Sequence, residues 1–158
     1  MGDQAFQDQL EGNFCWGCGP TVEGGLRIKS FWAGDEAVSD WTPRPEFAAG
    51  PKGVLFGGTI ASLMDCHGIW TAIADAYRRE ERGIGSGTPI WYVTASLHVQ
   101  YRKPTPIDLP LSLVGRVTEA SERKTLVSCS LTSDGVERAT AELVAVRMPL
   151  EWFTGQHG

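Results

Sequence analysis

The sequence has no excess of positive charge: 14 Lys and Arg stand against 19 Asp and Glu, for a net charge of −5. A protein that coats nucleic acid needs the opposite sign, because its affinity comes from displacing counterions from phosphates. Any anionic ligand of this chain must therefore meet a local basic patch. A long hydrophobic run is also missing. The most apolar stretch, Val54 to Met64, is interrupted by Gly57 and Gly58 and falls well short of the ~20 residues that cross a bilayer. Nor does the sequence open on a basic segment followed by an apolar one, since Met1 to Leu10 is polar and acidic. With only four cysteines and no export signal, the expectation is a soluble protein in a reducing, cytoplasmic compartment. There is no internal repeat and no low-complexity tract.

What is present fits one compact domain over 1–158, with 1–13 as a loose N-terminal extension and 150–158 as a tail. Hydrophobic residues at 42% and charged residues at 21% suit an ordinary globular core. The 19 glycines and 9 prolines imply many turns, which favours strands over a helix bundle. Leu26, Ile28, Ser30 and Trp32 alternate with polar or oppositely facing neighbours, and Glu36 to Trp41 follows a turn signal, so this region predicts a hairpin. A Pro- and Gly-rich loop over 42–53 leads to a proline-free segment from Gly58 to Arg82, whose Ile60, Leu63, Met64, Ile69 and Ile73 predict a long, largely buried helix. Trp91 to Arg102 then alternates with period two, which puts Val93, Ala95, Leu97, Val99 and Tyr101 on one face and Thr94, Ser96, His98 and Gln100 on the other. Three further strands are expected at Leu111–Val117, Thr125–Leu131 and Arg138–Arg147. The fold class is α+β: about six antiparallel strands around one long helix.

The helix junction from Gly53 to Asp65 carries the most chemistry. Unpaired N–H groups at a helix start, with no side chain at Gly57 or Gly58 to block approach, can hold a carbonyl oxygen as it gains negative charge. The alternative is that these two glycines merely allow close packing of the helix on the sheet. Asp65 comes seven residues after Gly58, about 10 Å further along the axis, so one chain cannot bring both to one reacting atom. If they cooperate, the simplest arrangement is a two-fold dimer with two equivalent sites. Cys15-Trp-Gly-Cys18 has the spacing of half a zinc site or a redox pair, but Cys66, Cys129, His67, His98 and His157 offer no second close pair. The motif is expected to be a packed turn, and neither a metal nor a cofactor is expected.

Three segments in order then carry a family likeness. They are Cys15-Trp-Gly-Cys-Gly-Pro20 with Gly25-Leu26, Gly53 to Asp65, and Val93 to Pro106, in which Thr94, Ala95, Leu97 and Tyr101 meet the pattern Thr-Ala-x-Leu-x-x-x-Tyr. The chain resembles the hotdog-fold acyl-CoA thioesterases of the PaaI and thioesterase-superfamily-member type, from about Asn13 to Pro149. The resemblance implies a central helix wrapped by a curved antiparallel sheet, in a homodimer with a continuous sheet or a homotetramer made of two such dimers. It also implies hydrolysis of an acyl-CoA thioester. In that role Asp65 is general base or nucleophile, Gly57 or Gly58 polarises the carbonyl, and Thr94 positions the water or the carboxylate. The family's usual His-Gly-Gly is Phe56-Gly57-Gly58 here. That leaves the backbone donors in place and replaces an imidazole with an apolar ring, so a non-catalytic acyl-CoA or acyl-lipid binding module is the alternative. Phe56, Trp70 and Trp91 are candidates to floor an acyl pocket, and Arg102, Lys103, Arg123 and Lys124 are candidates to meet the CoA phosphates.

Overall fold

The structure, a computed structural model, describes residues 4–152. Six strands form one antiparallel sheet: β1 (Phe31–Ala33), β2 (Glu36–Trp41), β3 (Tyr92–Tyr101), β4 (Leu111–Ala120), β5 (Lys124–Ser133) and β6 (Val136–Arg147). Their order across the sheet is β1-β2-β4-β5-β6-β3. One helix, α1 (Gly57–Arg79), lies against β5 with β3, β4 and β6 beside it. This is the expected hotdog arrangement.

The sheet face beneath the helix mixes small side chains with large ones such as Leu113, Leu131 and Leu143. Ala139, Ala141 and Ala145 of β6 are buried, as are Leu63, Met64, Trp70 and Ile73 of α1 above the sheet. Gly115 of β4 marks the tightest approach. A Cβ there would lie 2.5 Å from Thr71 Oγ1 and 3.2 Å from His67 Nε2. Neither neighbour yields easily. Thr71 Oγ1 donates to the His67 carbonyl at 2.7 Å, while the His67 ring bonds Ala37 O at 3.1 Å and Ser30 Oγ at 2.9 Å. Burial holds this imidazole neutral, with its pKa pulled down to about 4. Gly115→Ala is therefore expected to cost about 1–3 kcal/mol by overpacking, read from the shift of the urea midpoint at unchanged slope.

Two expectations need correction. Leu26, Ile28 and Ser30 are buried on one side as their alternation implies, but only Phe31–Ala33 forms a strand. The backbone before it is spent elsewhere: Leu26 N donates to Trp16 O, Ile28 N to Gly17 O, and Ser30 O accepts from Phe6 N. Those same bonds tie down residues expected to be loose. Phe6 and Leu10 enter the core, and Gln7 is buried with its amide bonded to Ser30. A short apolar segment that covers the helix is held by burial rather than by a regular ladder. Leu150–Trp152 forms an exposed 3-10 turn, and the rest of the expected tail, 153–158, lies outside the described residues along with 1–3.

Strand β3 carries the correction that matters for chemistry. Its pairing with β6 skips at Ala95, since Thr94 faces Ala145 and Ser96 faces Val144. One extra residue in a strand reverses the faces of everything after it. Thr94, Leu97 and Val99 therefore share the half-buried side towards the helix, while Val93, Ser96, His98 and Gln100 are exposed. Strict alternation had assigned Thr94 to the side opposite Leu97.

Candidate active site on the central helix

Phe56 ends the extended loop at φ −59 and ψ 128, and α1 begins at the next residue. Its carbonyl accepts from Thr59 N at 3.0 Å and Ile60 N at 3.4 Å. The amides of Gly57 and Gly58 precede the first intrahelical bond, and neither has an acceptor among the described residues. They are the unspent donors at the positive end of a 23-residue helix. Three bonds fix where they point. Leu55 N donates to Thr105 O at 2.8 Å, Phe56 N to Phe47 O at 2.8 Å, and Tyr101 Oη to Gly57 O at 2.7 Å. Phe56 is itself 55% exposed, and its ring lies over Gly58, so that a Cβ at Gly58 would come within 2.4 Å of it.

Two turns on, Asp65 accepts a short hydrogen bond from Thr94 Oγ1. Only the β3 bulge puts that hydroxyl on the helix side. Burial pushes the Asp65 carboxyl above the usual carboxylate range, the Thr94 bond opposes that shift, and the nearby Cys15 adds to it. Asp65 and Thr94 line a pocket of about 210 Å³ with Trp70, Trp91, Cys15 and Cys66. Trp70 and Trp91 meet edge to face at 5.7 Å. His67 points elsewhere, to Ser30 and Ala37, and the Ser62 hydroxyl is bonded to Gly58 O at 2.9 Å, so neither of them joins Asp65.

Within one chain the other expected residues stay apart. Gly58 and Asp65 lie on one unbroken helix, about 10 Å apart along its axis. Arg102 and Lys103 follow the end of β3, where both amides bond Arg138 O, while Lys124 pairs with Val146 at the other end of β6. The strand between them, from Ala139 to Arg147, spans about 27 Å. Arg123 borders a separate groove with Arg147, Met148 and Pro149.

The sequence profile of the thioesterase superfamily matches residues 52–140, more than half of the 158-residue chain. The chain belongs to the thioesterase superfamily. Membership makes acyl thioester hydrolysis the class of reaction to test. Among solved structures, a thioesterase superfamily protein from Shewanella loihica PV-4 is 37% identical over 77% of this chain and 91% of its own, with a TM-score of 0.64. The PaaI protein of the Escherichia coli phenylacetic acid degradation operon is 14% identical, covering 78% of this chain and 81% of its own at a TM-score of 0.63. A Streptococcus mutans protein solved with acetyl CoA bound is 15% identical, covering 81% and 94% at 0.64. The last two share the fold alone. No curated protein matches the sequence.

The superfamily match includes Gly57, Gly58, Asp65 and Thr94 but not Cys15 or Cys18. Sequence reasoning missed two features. Tyr101 anchors the helix start, which its place in the strand pattern could have suggested. Cys66 joins Cys15 and Cys18 across 51 and 48 residues, a convergence with no local signature. Among these thiols Cys15 is strongly acidified, because Cys18 and Cys66 donate to its sulfur, and their own pKa values rise in return.

Proposed function

We propose that this protein hydrolyses an acyl-CoA to the free acid and CoA, at sites shared between two subunits. The observation that carries it is a single helix bearing unspent glycine amides at its start and, two turns on, a half-buried Asp65 held by Thr94 beside a partly aromatic pocket. In this mechanism water attacks the thioester carbonyl and Asp65 takes its proton. The oxygen of the tetrahedral intermediate, now negative, is held by the Gly57 or Gly58 amide. Collapse expels the CoA sulfur, which accepts a proton. Thr94 occupies Oδ1 of the carboxylate, leaving the other oxygen for water. Attack by Asp65 itself, with an anhydride intermediate that water then opens at one of its two carbonyls, uses the same groups; ¹⁸O from labelled water entering Asp65 in a single turnover would mark that route.

Support for the two-subunit arrangement comes from β3, an exposed edge strand of ten residues. An exposed edge of that length is a template for another strand. Antiparallel pairing of two such edges about a two-fold at His98, with Ala95 bulged out of the ladder as it is against β6, sets Tyr101 of one beside Thr94 of the other. Because Tyr101 holds Gly57 and Thr94 holds Asp65, the helix start of one subunit then faces the carboxylate of its mate. The same operation brings Arg102 and Lys103 of one chain towards Arg123 and Lys124 of the other. Those four charges would gather on CoA phosphates despite the net charge of −5. The acetyl CoA held by the Streptococcus mutans protein of the same fold supports this class of ligand.

Thiol release measured across short, long and aromatic acyl-CoAs tests the proposal; no turnover on any of them would sink it. Thr94→Val should lower kcat about tenfold or more while leaving the circular dichroism spectrum unchanged, since it removes a bond to a charged group. The Phe56 ring over Gly58 favours one second reading, a binding module without turnover. Tight retention of acyl-CoA with no thiol release would select it.

A further inference from the structure

We propose that Cys15, Cys18 and Cys66 form a three-thiolate site for a soft divalent cation, zinc in the first instance, which clips the N-terminal loop to the central helix. The three sulfurs all lie within 4.8 Å of one another, and Cys15 Sγ and Cys66 Sγ are 3.7 Å apart. Zinc bound to sulfur at ~2.3 Å in tetrahedral geometry needs an S···S edge of about 3.8 Å. One edge is already at that length, and the others need to close by no more than about 1 Å.

The surroundings are built to hold the sulfurs there. Gly17 leaves the space that Cys66 occupies, since a Cβ on it would lie 2.4 Å from Cys66 Sγ. The loop is pinned on both sides: Cys15 O accepts from Gly19 N at 2.6 Å, Trp16 O from Leu26 N at 3.0 Å and Gly17 O from Ile28 N at 3.2 Å. Donors converge on Cys18 Sγ, with Trp70 Nε1 at 3.2 Å and Asn13 Nδ2 at 3.6 Å. N–H groups aimed at a sulfur are the usual support for a metal-bound thiolate. Cys18 and Cys66 are buried, Cys15 is exposed, and none of the three is in a disulfide. A path for the cation therefore exists from the Cys15 side. Each thiol that binds gives its proton to solvent. With three protein ligands, the fourth corner falls to water from the 210 Å³ pocket that the three cysteines share with Asp65. A cation here would brace the wall of that pocket.

The test uses the full chain, reduced and stripped with a chelator, and two probes, Co²⁺ and Zn²⁺. Cobalt should bind one equivalent, with a thiolate-to-cobalt charge-transfer band and the visible bands of tetrahedral coordination, and zinc should displace it. Cys66→Ser and Cys18→Ser should each lose the band or weaken binding at least tenfold. Cys129→Ser should retain it, since that sulfur lies elsewhere, against the Met64 carbonyl. Zinc should also raise the melting temperature of the wild-type chain relative to chelator, a readout that does not need the variants to fold. Absence of the band in the reduced protein overturns the proposal. So does Cys66→Ser binding as tightly as wild type, because Cys15 and Cys18 would then act alone. If the chain is isolated lighter by two hydrogens and binds no cation after reduction, the cluster is a disulfide site instead. None of these readouts depends on Asp65 being a base, so failure here and failure of thioester hydrolysis are separate results.

Discussion

Asp65→Asn is expected to lower kcat for acyl-CoA hydrolysis by about 10²–10⁴-fold, the usual contribution of a positioned proton acceptor or more. The amide keeps the shape of the carboxylate and still accepts from Thr94, so the pocket should survive. It cannot take a proton from water or attack the thioester. Stability should move the other way. Burial penalises the charged form of Asp65, and an uncharged isostere at that position removes the penalty. The melting temperature of the variant should thus equal or exceed that of wild type. Wild-type kcat in Asp65→Asn would remove this carboxylate from the mechanism; a lost kcat with a collapsed fold would instead make its role structural.

Mixing two inactive variants should restore activity. Gly58→Val keeps its amide but fills the approach to it, and it also forces the Phe56 ring aside. Alone it should lose about 10²–10³-fold in kcat, the scale of a blocked oxyanion donor. In a hybrid dimer of Asp65→Asn and Gly58→Val, one site carries both lesions and the other carries neither. Random exchange yields half hybrids, so co-refolding should recover about a quarter of wild-type activity. Activity no greater than the sum of the two variants would mean that each subunit works alone. That outcome would require Gly58 and Asp65 to serve one reacting atom despite their separation along one helix.

These two predictions rest on residues that the chain sequence makes visible to different degrees. Asp65 and the two glycines were legible because a helix start and a mid-helix carboxylate are local features, fixed by spacing along one element. The strand count and the start of the helix were legible for the same reason, since apolar periodicity reports which face is buried; the helix ends at Arg79 rather than at Arg82. Thr94 was harder. Its identity fitted the family pattern, but strict alternation put it on the wrong face, and nothing local marks Ala95 as the residue that slips out of register. The order of the N-terminal segment is not local, because it comes from Phe6 and Gln7 bonding Ser30, more than twenty positions away.

What the sequence determined by itself is the class of fold, the helix that carries the candidate site, and the acidic balance that forces any phosphate contact to be local. Each of these depends on composition or on spacing within one element. Tertiary structure alone decided three further matters: that Thr94 reaches Asp65, that the two basic pairs lie at opposite ends of β6, and that Cys66 closes on Cys15 and Cys18. Each depends on where separate elements meet, and that is fixed by sheet register and helix docking, which are cooperative properties of the packed chain rather than of any stretch of it.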